Sequence, residues 1–110
     1  MSTERIRELN DAFRTSFPIV RGGKFMVTHG INALGEDEVY KITWGVVAFV
    51  NFNEDNDPHG EHDFGFFMHN GTKVFWKIDY YDETMSYLSE NPADPTRTTR
   101  VLTIGLAEEY

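Results

Sequence analysis

Polar and apolar residues alternate in three different rhythms along the chain. From Thr3 to about Thr15, Ile6, Leu9, Ala12 and Phe13 recur at steps of three and four, with Ser2 or Thr3 available as N-cap. That spacing predicts an amphipathic helix. Pro18 and Gly22-Gly23 then break the pattern, Lys24 to His29 reads as a strand, and Gly30 to Gly35 as a connector. Residues 36–52 carry two periods at once. Val39, Ile42, Thr43, Val46, Val47 and Val50 form a helical stripe, whereas Tyr40, Ile42, Trp44, Val46, Ala48 and Val50 alternate as in a strand. β-Branched and aromatic content favours the strand. The acidic start Glu36-Asp37-Glu38 suits a helix N-terminus, and we read the segment as helix.

The third rhythm is a hairpin. Asn70-Gly71 separates two aromatic runs, and this dipeptide favours a type I′ turn because both central residues take positive φ. A two-residue loop pairs His69 with Thr72, Phe67 with Val74, and Gly65 with Trp76, where the missing side chain leaves room for the indole. One face then carries Phe67, Val74, Trp76 and Ile78. The other carries Phe64, Phe66, Met68 and Phe75 beside Lys73, Lys77 and Asp79. Both faces are apolar, which predicts a central hairpin covered on both sides; the alternative is an exposed apolar partner surface. A short helical turn is expected after Asp82, then a loop from Ser89 to Pro95. A last strand runs from Arg100 to Ala107, with Leu102, Ile104 and Leu106 alternating against Thr103 and Gly105. The sum is a single α+β domain over residues 1–110, helices packed on a mostly antiparallel sheet.

Composition narrows the class. The 110 residues include no cysteine, which excludes disulfides, thiol nucleophiles and zinc–thiolate sites. No stretch approaches the roughly 20 apolar residues that cross a bilayer, and the charged N-terminus lacks a signal-peptide core. A soluble acidic domain is therefore expected. The net charge of −8 is uneven: residues 31–70 hold one Lys against eight Asp/Glu, or −7. Glu54, Asp55, Asp57, Glu61 and Asp63 crowd together with only His59 and His62 as possible counter-charges. Such a field repels phosphates, so direct nucleic acid binding is not expected. Three readings remain, a cation site, a partner protein with a basic surface, and solvation of a turn, and the partner is the one the leading hypothesis takes.

The same segment holds the candidate chemistry. Asp55, Asp57, His59, Glu61 and Asp63 occupy every other position, and Asp55, Asp57, His59, Glu61 and His62 form the best metal-ligand set. Oxygen ligands suit Mg²⁺, Ca²⁺ or Mn²⁺, and the histidines Zn²⁺ or Fe²⁺. Specific motifs fail. EF-hand loops begun at Asn53 or Asp55 place Phe64 or Phe66 where Glu is required, and no His-Glu-x-x-His occurs. His59-Gly60-Glu61 lacks the thiolates of a deaminase. His62-Asp63 is the dipeptide of a phosphohydrolase family that is all-helical and larger than this chain. Asp-Asn-Asp-Pro is foremost turn chemistry, and turn or capping duty outranks metal binding and acid–base catalysis. Asp79 is expected to pair with Lys77 rather than to catalyse. His29 and His69 are expected to be hydrogen-bonded structural residues. Arg97 and Arg100 balance the acidic surface in preference to holding an anion. No nucleophile elbow or phosphate-cradling glycine loop is present.

The stretches DNDPHGEHDFG (Asp55 to Gly65), FWKIDYYD (Phe75 to Asp82) and PADPTRTTRVLTIGLAEEY (Pro92 to Tyr110), with LNDAFR (Leu9 to Arg14), resemble a family of small bacterial proteins. That family is catalogued as a domain of unknown function and is common in alphaproteobacteria and on their plasmids. The resemblance implies a bacterial, cytoplasmic, one-domain protein and supplies no activity, cofactor or catalytic residue. Trp44 to Val50 is more β-branched than the family's usual run, which keeps the strand alternative open there. The leading expectation is an acidic protein-interaction module without a cofactor, in the form of a mobile-element accessory protein that inhibits a nucleic-acid-handling host defence. The alternative is a metal-dependent hydrolase using residues 55–63 and a divalent ion. Oligomeric state stays open.

Overall fold

A computed structural model describes residues 2–110. Helix α1 (Ser2–Arg14) forms as its spacing requires and buries Ile6 and Phe13. Strand β1 (Gly23–Val27) follows, slightly shorter and earlier than the apolar pattern suggests. The expected connector instead contains a four-residue helix, α2 (His29–Asn32), started by Thr28, whose hydroxyl accepts from the Ile31 N–H. Segment 36–52 resolves as helix α3 (Glu36–Val47), five residues shorter than the pattern implied. Its helical stripe wins because Ile42, Thr43 and Val46 turn inward, leaving Tyr40 and Trp44 of the alternating set 57% and 38% exposed.

Strands β2 (Phe64–His69), β3 (Thr72–Tyr81) and β4 (Thr99–Leu106) complete a sheet of order β1-β4-β3-β2. β2–β3 and β3–β4 are antiparallel, while β1 lies parallel to β4. The hairpin has the expected register, with His69, Phe67 and Gly65 opposite Thr72, Val74 and Trp76. Asn70 and Gly71 have φ of 50° and 80°, as a type I′ turn demands. A Cβ on Gly65 would lie 2.6 Å from a Phe49 ring atom and 2.7 Å from the Trp76 indole nitrogen, so only glycine fits.

The core lies on one side of this sheet. Phe13, Ile31, Ile42, Val46 and Phe49 pack on Val74, Trp76, Ile78, Leu102 and Ile104. The other side departs from the expected cover. Phe75 is buried there by its neighbours, its ring 5.1 Å from that of Tyr110, but Met68 is 63% and Met26 49% exposed. An open groove of 410 Å³ runs over the sheet between Lys24, Met26, Lys77, Tyr81 and Met85. The α-helices spend their apolar faces on the first side, and no layer remains for the second. The helical turn expected after Asp82 is absent: the Asp82 carboxylate accepts from the backbone N–H groups of Thr84 and Ser86, an arrangement that competes with helix.

Candidate functional site

The acidic segment meets α1 along a polar seam. Arg7, Asn10, Asp11 and Arg14 follow one another at helical steps, beside the apolar positions that face the core. Arg7 Nη1 donates to the Gly60 carbonyl at 3.0 Å, and Asn10 Nδ2 to the Glu61 carbonyl at 3.0 Å. His62 Nδ1 lies 2.9 and 3.1 Å from the two Asp11 carboxylate oxygens. The loop is thus stitched to the helix at three successive residues, Gly60 to His62.

Arg14 closes one end of the seam. Its Nη1 donates to the carbonyls of Val46, Val47 and Phe49 at 2.9, 2.9 and 3.0 Å, gathering groups at and just beyond the end of α3, of which that of Val46 also accepts from the Phe49 N–H at 3.2 Å. Its guanidinium lies 5.5 Å from the Phe52 ring and 5.3 Å from Trp76. Burial lowers its pKa, opposed by Asp11, whose Oδ1 accepts from Nη2 at 3.3 Å.

Asn10 anchors the other end, fully buried. Its Oδ1 accepts from Arg100 Nε at 2.6 Å, and Arg100 Nη2 donates to the Pro92 carbonyl at 2.6 Å. Asn10 Nδ2 also donates to Tyr80 Oη at 2.8 Å, and that hydroxyl donates to Glu61 Oε1 at 3.0 Å. Burial raises the Tyr80 pKa above its ordinary value, so the phenol stays neutral and keeps its proton for Glu61. Burial, with Glu61 nearby, also raises the Asp63 carboxyl. Arg100 is therefore a buried partner of Asn10, where sequence reading made it a surface counter-charge.

The loop has its own scaffold. Asn53 Oδ1 accepts from the N–H groups of Asp55 and Asn56 at 2.8 and 3.2 Å, so the turn is templated by Asn53 and not by the Asp55-to-Pro58 run that suggested it. Asp57 Oδ1 accepts from the His62 N–H at 3.1 Å. His62 itself sits at φ 56°, stacked on Phe52 at 3.8 Å. The five alternating positions consequently do not share a face. Glu54, Asp55 and His59 are exposed, whereas the Asp57 side chain is 5% exposed and Glu61 turns to Tyr80. Among the described residues no group of three or more His, Asp or Glu side chains is gathered to hold a metal ion. Both His62 nitrogens face carboxylates, Asp11 on one side and Asp57 at 3.7 Å on the other, so the ring serves to clamp the loop.

Elsewhere, Lys77 and Asp79 form the expected ion pair at 2.8 Å, and His69 Nε2 is bonded to Glu38 Oε1 at 2.8 Å. His29 is exposed at the start of α2, and Arg97 pairs with Glu90 at 3.6 Å. A surface groove of 510 Å³ between α1 and Pro95 to Arg100 is lined by none of the acidic-loop residues. Sequence reading missed Asn10, Asp11, Arg14 and Tyr80. For the three on α1 the available signal was a polar stripe at helical spacing beside the apolar one; Tyr80, on β3, had none.

No helix among the described residues is long and apolar enough to cross a membrane. Comparison with curated proteins gives no match, and comparison with solved structures gives none. A family model does match, over residues 27–109, taking in the acidic loop, the hairpin and β4 while leaving α1 outside. The chain belongs to the family described as protein of unknown function, DUF3768.

Proposed function

We propose that the chain is a small protein-interaction module that presents a rigid anionic turn to a partner with a basic surface. The observation that carries this reading is the division of the loop into two sides. Its inner groups, Asp57, Glu61 and His62, are consumed by bonds to the fold, while Glu54 and Asp55 stand exposed on an Asn53-templated turn. Ordering the turn before binding removes part of the entropy cost of association. The surrounding −7 of residues 31–70 would steer a basic partner toward it. The resemblance to plasmid-borne proteins extends the proposal to an accessory role against a host defence protein, whose nucleic-acid groove offers such a basic surface.

The test compares affinity purification by the wild-type protein and by E54K/D55K from the same bacterial lysate. A specifically enriched partner should be recovered at least ~10-fold less by the double variant, the loss of about 1.4 kcal/mol of binding. Its capture should also weaken as salt rises. Enrichment equal for both proteins, or of nothing above background, would overturn the proposal.

A further inference from the structure

Strand β2 lies at an edge of the sheet. With a two-residue turn, the ladder bonds to β3 fall on His69, Phe67 and Gly65, and the bond from Ile78 N–H to the Asp63 carbonyl at 2.9 Å continues that phase. Phe64, Phe66 and Met68 therefore aim their backbone N–H and C=O groups away from β3. Among the described residues, no hydrogen bond from another segment reaches these groups. Edge strands are usually blunted by a lysine, a proline or a bulge. β1, at the opposite edge, carries Lys24; β2 reads FGFFMH, with no charge and no proline. In a chain of net charge −8, this is a segment on which two copies can meet without opposing like charges.

We propose that two copies of this chain pair antiparallel through β2 about a two-fold axis at Phe66, joining their sheets into one of eight strands. In this register Phe64 faces Met68 of the second copy, Phe66 faces Phe66, and Met68 faces Phe64. Those three pairs exchange two backbone bonds each, satisfying all the outward groups. The side chains agree with the register. On the uncovered side, thioether meets aromatic ring at both ends and ring meets ring at the axis. On the helix side, Phe67 falls opposite Gly65, which has no side chain to obstruct it. Beyond the strand, Asp63 falls opposite His69, the imidazole that Glu38 already engages through Nε2 at 2.8 Å.

Sedimentation equilibrium separates this dimer from the alternatives. The wild-type protein should show twice the 12.7 kDa chain mass, and F66P and M68K the single mass. Proline at position 66 removes an outward N–H and spares the bonds to β3. Should F66P fail to fold by circular dichroism, M68K decides: Met68 is 63% exposed, and its charged neighbour in the single chain is Lys73 across the hairpin, so the fold is checked by the same circular dichroism. Wild-type protein at the single mass even in millimolar solution would overturn the proposal. So would a dimer that survives M68K unchanged, or β2 occupied only by a strand of a different protein.

Discussion

The α1–loop seam and the β2 edge make opposite use of the residues that look most functional. The loop from Asn53 to Asp63 concentrates the charge of the chain, yet Asp57, Glu61 and His62 serve to hold the loop down. The hairpin strand β2 reads as interior, yet one side of it is uncovered and its edge unpaired. Charge density marks a place where partners are needed, and in the loop the fold itself supplies most of them. Apolar density marks a need for cover, and three α-helices are enough to cover only one side of a four-stranded sheet.

The comparison breaks most decisively at Arg14. Replacing it by Met should cost about 2–4 kcal/mol, because the carbonyls of Val46, Val47 and Phe49 lose a buried donor while the half-exposed Asp11 keeps His62. R14K should recover little, since a single ammonium lacks the planar fork that spans those acceptors. Urea unfolding measures both; a loss under about 1 kcal/mol would return the seam to the surface class. A smaller loss, about 1–2 kcal/mol, is expected for Y80F, which deletes the hydroxyl shared by Asn10 and Glu61.

Asp63 sharpens the contrast through pH. Its folded pKa is raised by burial and by Glu61, so the folded state holds this proton more tightly than the unfolded chain. The contribution of Asp63 to stability is therefore fully present below the ordinary Asp value of 3.8 and is lost as pH rises through the raised folded value. D63N lacks that loss. Its urea midpoint should gain on the wild type as pH rises through the acid range and then level off near neutrality. Asp82 and Asp94, lowered chiefly by hydrogen bonds from Thr84 and Thr96, oppose this trend in both proteins and cancel in the difference. The smallest effect on stability belongs to E54K/D55K. Both side chains are exposed, so unfolding should shift by no more than about 0.5 kcal/mol while partner capture falls. A large destabilisation would place the outer turn with the seam.

Much of the fold was legible because it rests on local rules. The period of α1, the positive φ demanded at Asn70-Gly71, and the fit of Gly65 beside Trp76 follow from residues a few positions apart, or facing one another across a two-residue turn. α3 was legible only by weighing two periods, and the carbonyls at its end are met by Arg14, more than thirty residues earlier. The parallel pairing of β1 with β4 crosses nearly the whole chain, and no local pattern encodes it.

The candidate site was less legible for the same reason. Alternation at Asp55 to Asp63 would define a face only on an extended backbone; here Gly60 at φ 69° and His62 at φ 56° turn the chain between the acidic positions. By itself, the sequence determined an acidic α+β domain, its hairpin and the place where charge concentrates, since composition and short-range sterics settle these. Tertiary structure decided which carboxylates are structural and which are displayed. A buried polar group must find its partner wherever the chain returns, and Asn10 finds Tyr80 and Arg100 at the far end of the molecule's sequence.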